Sequence, residues 1–192
     1  MAEILLFHHA QGQTRGFLAL ADRLREAGHT VHNPDLYDGR SFETLDKGIA
    51  LGREIGFGTL LDRGTFAADP LPDGLVYAGI SLGVKPAQKL AQTRPGARGA
   101  LLLEACVPPS EFGAWPDGVP VQVHGMAGDP FFAGEGDIDV ARALVEDVVD
   151  AELFVYPGDR HLFTDASLST HDEESATLVE RRVLEFLARP DG

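Results

Sequence analysis

Short, continuously apolar runs alternate along the chain with longer stretches in which apolar residues recur every three or four positions. The runs Glu3 to His9, Thr30 to Asn33, Leu75 to Ile80, Ala100 to Leu103, Val119 to Gly125 and Glu152 to Tyr156 read as strands. Apolar residues at successive positions require both faces of a strand to be dry. That pattern predicts a mostly parallel sheet covered by helices on both faces, an α/β architecture. Between the first two runs, Phe17, Leu20, Ala21, Leu24 and Ala27 fall at helical spacing and Gly28 supplies a stop, so the segment predicts a strand–helix–strand crossover. The last helix is expected to start at Thr170, with Glu173 completing a capping box and Ala176, Val179, Val183 and Phe186 on one stripe. Between Arg40 and Asp73, glycines at 48, 52, 56, 58 and 64 interrupt a helical pattern. The segment reads as helical but broken, either a crossover between neighbouring strands or a cover over a pocket.

No repeat, low-complexity tract or linker divides the 192 residues, so residues 1–192 are expected to form a single domain. Thirty acidic against sixteen basic side chains give a net charge of −14. Such a field repels phosphate backbones and anionic headgroups, so neither nucleic acid nor a membrane is an expected partner. No apolar stretch approaches the ~18 residues of a membrane helix. The opening Met1 to Phe7 has no basic flank and too short an apolar run for a signal peptide, and the lone Cys106 has no partner for an internal disulfide. These features predict a cytoplasmic protein with a reduced thiol.

The chemistry concentrates first at Gly79-Ile80-Ser81-Leu82-Gly83, which follows the apolar run Leu75 to Ala78 and precedes the helical stretch Val84 to Thr93. The spacing is that of a nucleophile elbow. A sharp strand-to-helix turn carries a strained serine, and glycine on either side lets the chain bend without a Cβ clash. The motif is weak by itself; the strand before it and the helix after it strengthen it, whereas the bland alternative is a structural glycine turn. Pro86 falls inside the proposed helix, where in the first turn the missing donor costs little.

A serine needs a base, and His161 lies on a loop after the last predicted strand. His171, beside the start of the final helix, reads as a helix-start residue. Asp129, just past the strand ending at Gly125, lies on the same sheet edge and can steady an imidazole; Asp159 and Asp165, on the histidine loop itself, are alternatives, and each of the three can instead be a turn former. The oxyanion would need backbone N–H groups: Leu82 at the elbow, and Ala10 or Gln11 after the first strand. His8 and His9 point to opposite sides if that strand continues, which argues against a shared metal. No glycine-rich nucleotide fingerprint follows a strand, so nucleotide binding has no support. Cys106 lacks an elbow and reads as a packed thiol. Phe57, Phe66, Phe112, Trp115, Phe131 and Phe132 are pocket or core aromatics, with Phe131 and Phe132 favoured for the pocket by their nearness to Asp129.

His9-Ala10-Gln11-Gly12, Ala27-Gly28-His29, Asn33-Pro34-Asp35-Leu36-Tyr37, the elbow, His124-Gly125 before Asp129, and Tyr156 before His161-Leu162-Phe163 together resemble the dienelactone hydrolase family of α/β-hydrolases over nearly the whole chain. The order Ser81, Asp129, His161 is similar to theirs. The resemblance implies an α/β-hydrolase-type three-layer sandwich, a triad free of metal and cofactor, and hydrolysis of a small ester or lactone. Ser81 stands where the name-giving enzymes have cysteine, which points towards esterase-like chemistry, and Asp165 occupies the region where they place an arginine. The expected function is a serine hydrolase of a small carboxylic ester, lactone or thioester. The alternative is a non-catalytic small-molecule-binding protein on the same scaffold, and a homodimer stays open.

Overall fold

The computed structural model describes residues 1–189. Six strands form one sheet: β1 (Glu3–Phe7), β2 (Thr30–His32), β3 (Val76–Ile80), β4 (Gly99–Leu103), β5 (Val121–Met126) and β6 (Ala151–Tyr156). Their order is β2-β1-β3-β4-β5-β6 and every pairing is parallel. Residues of β3, β4 and β5 are buried throughout, as continuous apolar runs require of strands covered on both sides. The helices are α1 (Arg15–Glu26), α2 (Leu45–Ile55), α3 (Phe57–Phe66), α4 (Val84–Thr93), α5 (Asp137–Asp147) and α6 (Glu173–Leu187).

Alternation along the strands divides the core in two. Leu5, Phe7, Tyr77, Leu102 and Val123 face α2 to α5, where Leu51, Leu60, Leu90 and Leu144 meet them. Ile4, Leu6, Ala78 and Leu101 face α1 and α6, meeting Phe17, Leu24, Val179 and Val183. The result is the helix–sheet–helix sandwich expected from the sequence, with a sheet that is wholly parallel. The chain leaves β1 outward to β2 and then crosses to β3 on the other side. That reversal leaves a crevice at the carboxyl ends of β1 and β3, where ligands bind in open sheets of this kind.

Three expectations need correction. The first strand stops at Phe7, because both following histidines bond outside the ladder: His8 Nε2 accepts the Leu36 N–H at 3.0 Å and His9 Nε2 lies 2.9 Å from Asp165 Oδ2. The last helix starts at Glu173, capped by Asp172, whose carboxylate accepts the Ser175 N–H at 3.0 Å. Thr170 is not its cap, since its hydroxyl lies 3.4 Å from the Leu162 carbonyl. Helix α5, with Ile138, Ala141 and Leu144 buried, has no counterpart in the sequence reading. The broken helical segment is as expected, with α2 and α3 parted at Gly56, whose φ is +92°. Among the described residues no helix is long and apolar enough to cross a membrane.

Candidate active site

Ser81 opens a 3-10 turn, Ser81–Gly83, between β3 and α4, and its φ of +51° is rare for a residue with a side chain. Packing accounts for the glycines beside it. A Cβ on Gly79 would lie 2.1 Å from the Gly83 carbonyl oxygen, and one on Gly83 would lie 2.5 Å from that of Phe7. The turn therefore closes tightly against the end of β1 and presents the serine at the sheet edge. Pro86 is in the first turn of α4, where its missing N–H would have had no intrahelical partner.

His161 brings the distant segments together. Its Nε2 is 2.8 Å from Ser81 Oγ and its Nδ1 is 2.7 Å from Asp129 Oδ2. With Asp129 ionised, Nδ1–H donates to the carboxylate and Nε2 accepts the serine hydroxyl. Asp129 is fully buried, and its other oxygen accepts the Phe131 N–H at 2.8 Å. The Phe131 ring packs against the imidazole with centroids 4.6 Å apart. Ser81, Asp129 and His161, predicted as a set, thus meet at the carboxyl ends of β3, β5 and β6. His171 is elsewhere, with Nδ1 3.0 Å from the Phe163 carbonyl oxygen. Asp159 packs at Gly128, and the carboxylates paired with the imidazole among the described residues are Asp129 and, at 4.0 Å, Glu104.

Asp165, the other alternative acid, turns away from His161 and ties the histidine loop to the segment after β1. One oxygen accepts from His9 Nε2 at 2.9 Å and from the Thr14 hydroxyl; the other accepts from Ser167 Oγ at 2.7 Å and Ser167 N at 2.8 Å. Burial alone would raise its pKa, but these hydrogen bonds outweigh it and hold the carboxyl below the usual range. Burial lowers the pKa of His9, against the opposing pull of Asp165. His9 Nδ1 accepts the Gln11 N–H at 3.2 Å, so that donor is occupied, whereas the Ala10 N–H has no such partner among the described residues. Helix α2 presses on the same loop: a Cβ on Gly48 would lie 1.9 Å from the Ala10 carbonyl oxygen.

Sequence reasoning missed Glu104. It follows β4 with φ +65° and is fully buried; Oε1 accepts from Thr164 Oγ1 at 2.7 Å, and Oε2 lies 4.0 Å from His161 Nδ1. Burial pushes its carboxyl pKa up, opposed by His161 and Thr164. The available signal was an acid closing an otherwise apolar run. Ligating atoms of Glu104, Asp129 and His161 lie within 4.8 Å of one another, a spacing that admits a cation. Asp129 and His161, however, approach to 2.7 Å, closer than the ~3.3 Å between two donors on a tetrahedral ion. That distance belongs to a shared proton.

A cavity of about 440 Å³ opens over Ser81, with Ala10 and Leu82 in its wall and Ile49, Phe57, Leu60, Val107 and Phe131 supplying apolar surface. Arg53, Lys85, Glu135 and Asp137 add charge to the lining. Of the six aromatics singled out, only Phe57 and Phe131 line this cavity. Phe132 is core, lying against Gly125 where a Cβ would meet its ring at 2.2 Å, and Phe66 is 67% exposed on the surface. Trp115 donates to the Val119 carbonyl and packs on the core, and Phe112 is half-buried away from the cavity. Cys106 is buried beside Asp137, and burial pushes its thiol up to about 12.

The family model for the dienelactone hydrolase family matches residues 2–190. No curated protein matches the sequence. Among solved structures, a dienelactone hydrolase from Anabaena variabilis superposes with a TM-score of 0.68 at 18% identity, covering 97% of this chain and 85% of that one. A dienelactone hydrolase-like promiscuous phosphotriesterase from metagenomic libraries gives 0.72 at 18% identity, covering 98% and 86%. A cold-adapted esterase from an Arctic intertidal metagenomic library gives 0.69 at 16% identity, covering 97% and 82%. Likeness at these identities establishes the α/β-hydrolase fold, and the match over residues 2–190 goes further: the chain belongs to the dienelactone hydrolase family.

Proposed function

We propose that the protein is a serine hydrolase, a single α/β-hydrolase domain over residues 1–192 that cleaves small carboxylic esters, lactones or thioesters through an acyl-enzyme. The observation that carries this reading is the unbroken hydrogen-bonded line from Ser81 Oγ to His161 Nε2 and from Nδ1 to Asp129, at 2.8 and 2.7 Å. Ser81 attacks the carbonyl as its proton passes to Nε2. The imidazolium that forms is stabilised by the buried Asp129 carboxylate, a contribution of about 10²–10⁴-fold for a well-placed base. The N–H groups of Leu82 and Ala10 hold the developing oxyanion, each removed donor costing about 10²–10³-fold. His161 then protonates the leaving group. A water attacks the acyl-enzyme with the same base, and Ser81 is released.

The mainly apolar wall suits a small acyl group, and a cavity of about 440 Å³ accommodates a compact substrate. The test is turnover of a short p-nitrophenyl ester, together with labelling by a fluorophosphonate. Ser81→Ala is expected to retain the fold and lose activity by at least about 10⁴-fold, and the probe is expected to attach at Ser81. Undiminished turnover by Ser81→Ala would overturn the mechanism. A folded wild-type protein that neither turns over esters nor takes up the probe would instead be a binding protein on this scaffold.

A further inference from the structure

Glu104 is where the packing leaves a polar atom unexplained. Among the described residues its Oε2 is the buried side-chain oxygen or nitrogen without a hydrogen-bond partner, and such an atom is costly to retain. Its position is specific. β4 lies between β3, which leads to Ser81, and β5, which leads to Asp129, so the residue following β4 emerges between those two strand ends and lines the cavity. Oε2 is 4.0 Å from the same imidazole nitrogen that Asp129 holds at 2.7 Å. One Nδ1–H thus faces carboxyls from two neighbouring strand ends.

We infer that Glu104 is a second positioning carboxyl for His161, idle while Asp129 is ionised and able to take over Nδ1–H when Asp129 is removed. The inference rests on the proposed triad. Several groups set the charge around Glu104. Asp129 faces it from the β5 loop, and His161 and the neutral Thr164 face it from the β6 loop. Asp137 at the start of α5 and His9 after β1 act on the same imidazole. Burial first, and the Asp129 charge in addition, push the Glu104 carboxyl pKa up, which disfavours its ionised form beside an ionised Asp129. Removing the Asp129 charge takes away the repulsive part and leaves the pull of His161 and Thr164. Glu104 then releases its proton to solvent, and its freed Oε2 accepts Nδ1–H after a movement of about 1 Å, which the space left by an alanine allows.

The experiment compares kcat and KM for p-nitrophenyl acetate between pH 5 and 9 in wild type, Asp129→Ala and the double variant Asp129→Ala/Glu104→Gln, with folding followed by circular dichroism. Loss of a sole triad carboxylate costs about 10⁴-fold in kcat. Asp129→Ala is expected to lose only about 10²-fold. The double variant is expected to lose about 10²-fold more with KM little changed, and its acid limb, which the imidazole base gives every variant, is expected to move to lower pH than in Asp129→Ala, because no carboxylate is left to hold the imidazolium. A single variant already down by about 10⁴-fold, or a double variant whose kcat and acid limb coincide with those of Asp129→Ala, would overturn the inference. Should the double variant fail to fold, kcat of Asp129→Ala decides alone, and a loss of about 10⁴-fold sinks the idea. Failure of the hydrolase reading shows separately, as full activity of Ser81→Ala.

Discussion

Replacing Asp165 by asparagine separates a clamp between two loops from mere burial of a charge. In the native protein both oxygens accept: His9 Nε2 and the Thr14 hydroxyl on one, and the hydroxyl and N–H of Ser167 on the other. An asparagine of the same shape has one oxygen and one NH2 group. Whichever way it faces, two donors confront an amide N–H and lose their acceptor. Two charge-assisted bonds at ~1.5–3 kcal/mol each, lost from a buried pair, give a destabilisation of about 3–6 kcal/mol. For a chain of this size that is a fall in Tm of about 6–24 °C. Urea unfolding at pH 7.5 measures it where His9, ordinarily titrating near 6.5, is neutral. The pH dependence has a definite sign. A carboxyl whose folded pKa is depressed contributes stability that is full above the unfolded value of about 3.9 and is lost as pH falls through the lower folded value. The gap between wild type and Asp165→Asn is therefore expected to be flat near neutrality and to narrow only below about pH 4. Because His9 fixes the segment carrying Ala10, ester turnover is expected to fall about 10²-fold as well. A variant within 1 kcal/mol of wild type at pH 7.5 would refute the reasoning.

Two further predictions follow from close packing and burial. Gly48→Ala puts a methyl group 1.9 Å from the Ala10 carbonyl oxygen, so α2 or the loop must move; kcat for a p-nitrophenyl ester should drop about 10²-fold while far-UV circular dichroism stays native. Cys106, with its thiol pushed up to about 12, should resist iodoacetamide at pH 8 in the native protein and react fully in guanidinium, as read by intact mass, since its thiolate fraction at that pH is about 10⁻⁴.

The sheet, the elbow and the three residues of the proposed triad were legible because their signals are local. Apolar runs mark strands, and the loop after each parallel strand emerges at one edge, so Ser81, Asp129 and His161 could be assigned to a common rim without coordinates. Glu104 was not legible in that way. Its role depends on β4 lying between β3 and β5, and strand order is not written in any short segment. Asp165 was visible as an acid four residues beyond His161, but the chain turns at Leu162, with φ +61°, and carries that carboxylate towards His9 instead. The favoured aromatic pair divided for a related reason: Phe131 and Phe132 are adjacent, so Phe131 reaches the cavity as expected and Phe132 the core. The late start of α6 reflects a local competition in which Asp172 outdoes Thr170 as a cap.

Five of the six strands deliver a residue to the site: β1 leads to Ala10, β3 to Ser81, β4 to Glu104, β5 to Asp129 and β6 to His161. During synthesis the serine leaves the ribosome some eighty residues before the imbedded base that would activate it. Under the proposed mechanism a nascent chain carries an inert hydroxyl until β6 has added itself to the sheet edge. Onset of ester cleavage on stalled chains of increasing length is then expected to clock completion of the sheet, and truncation before residue 161 is expected to leave a protein that no amount of folding upstream makes reactive.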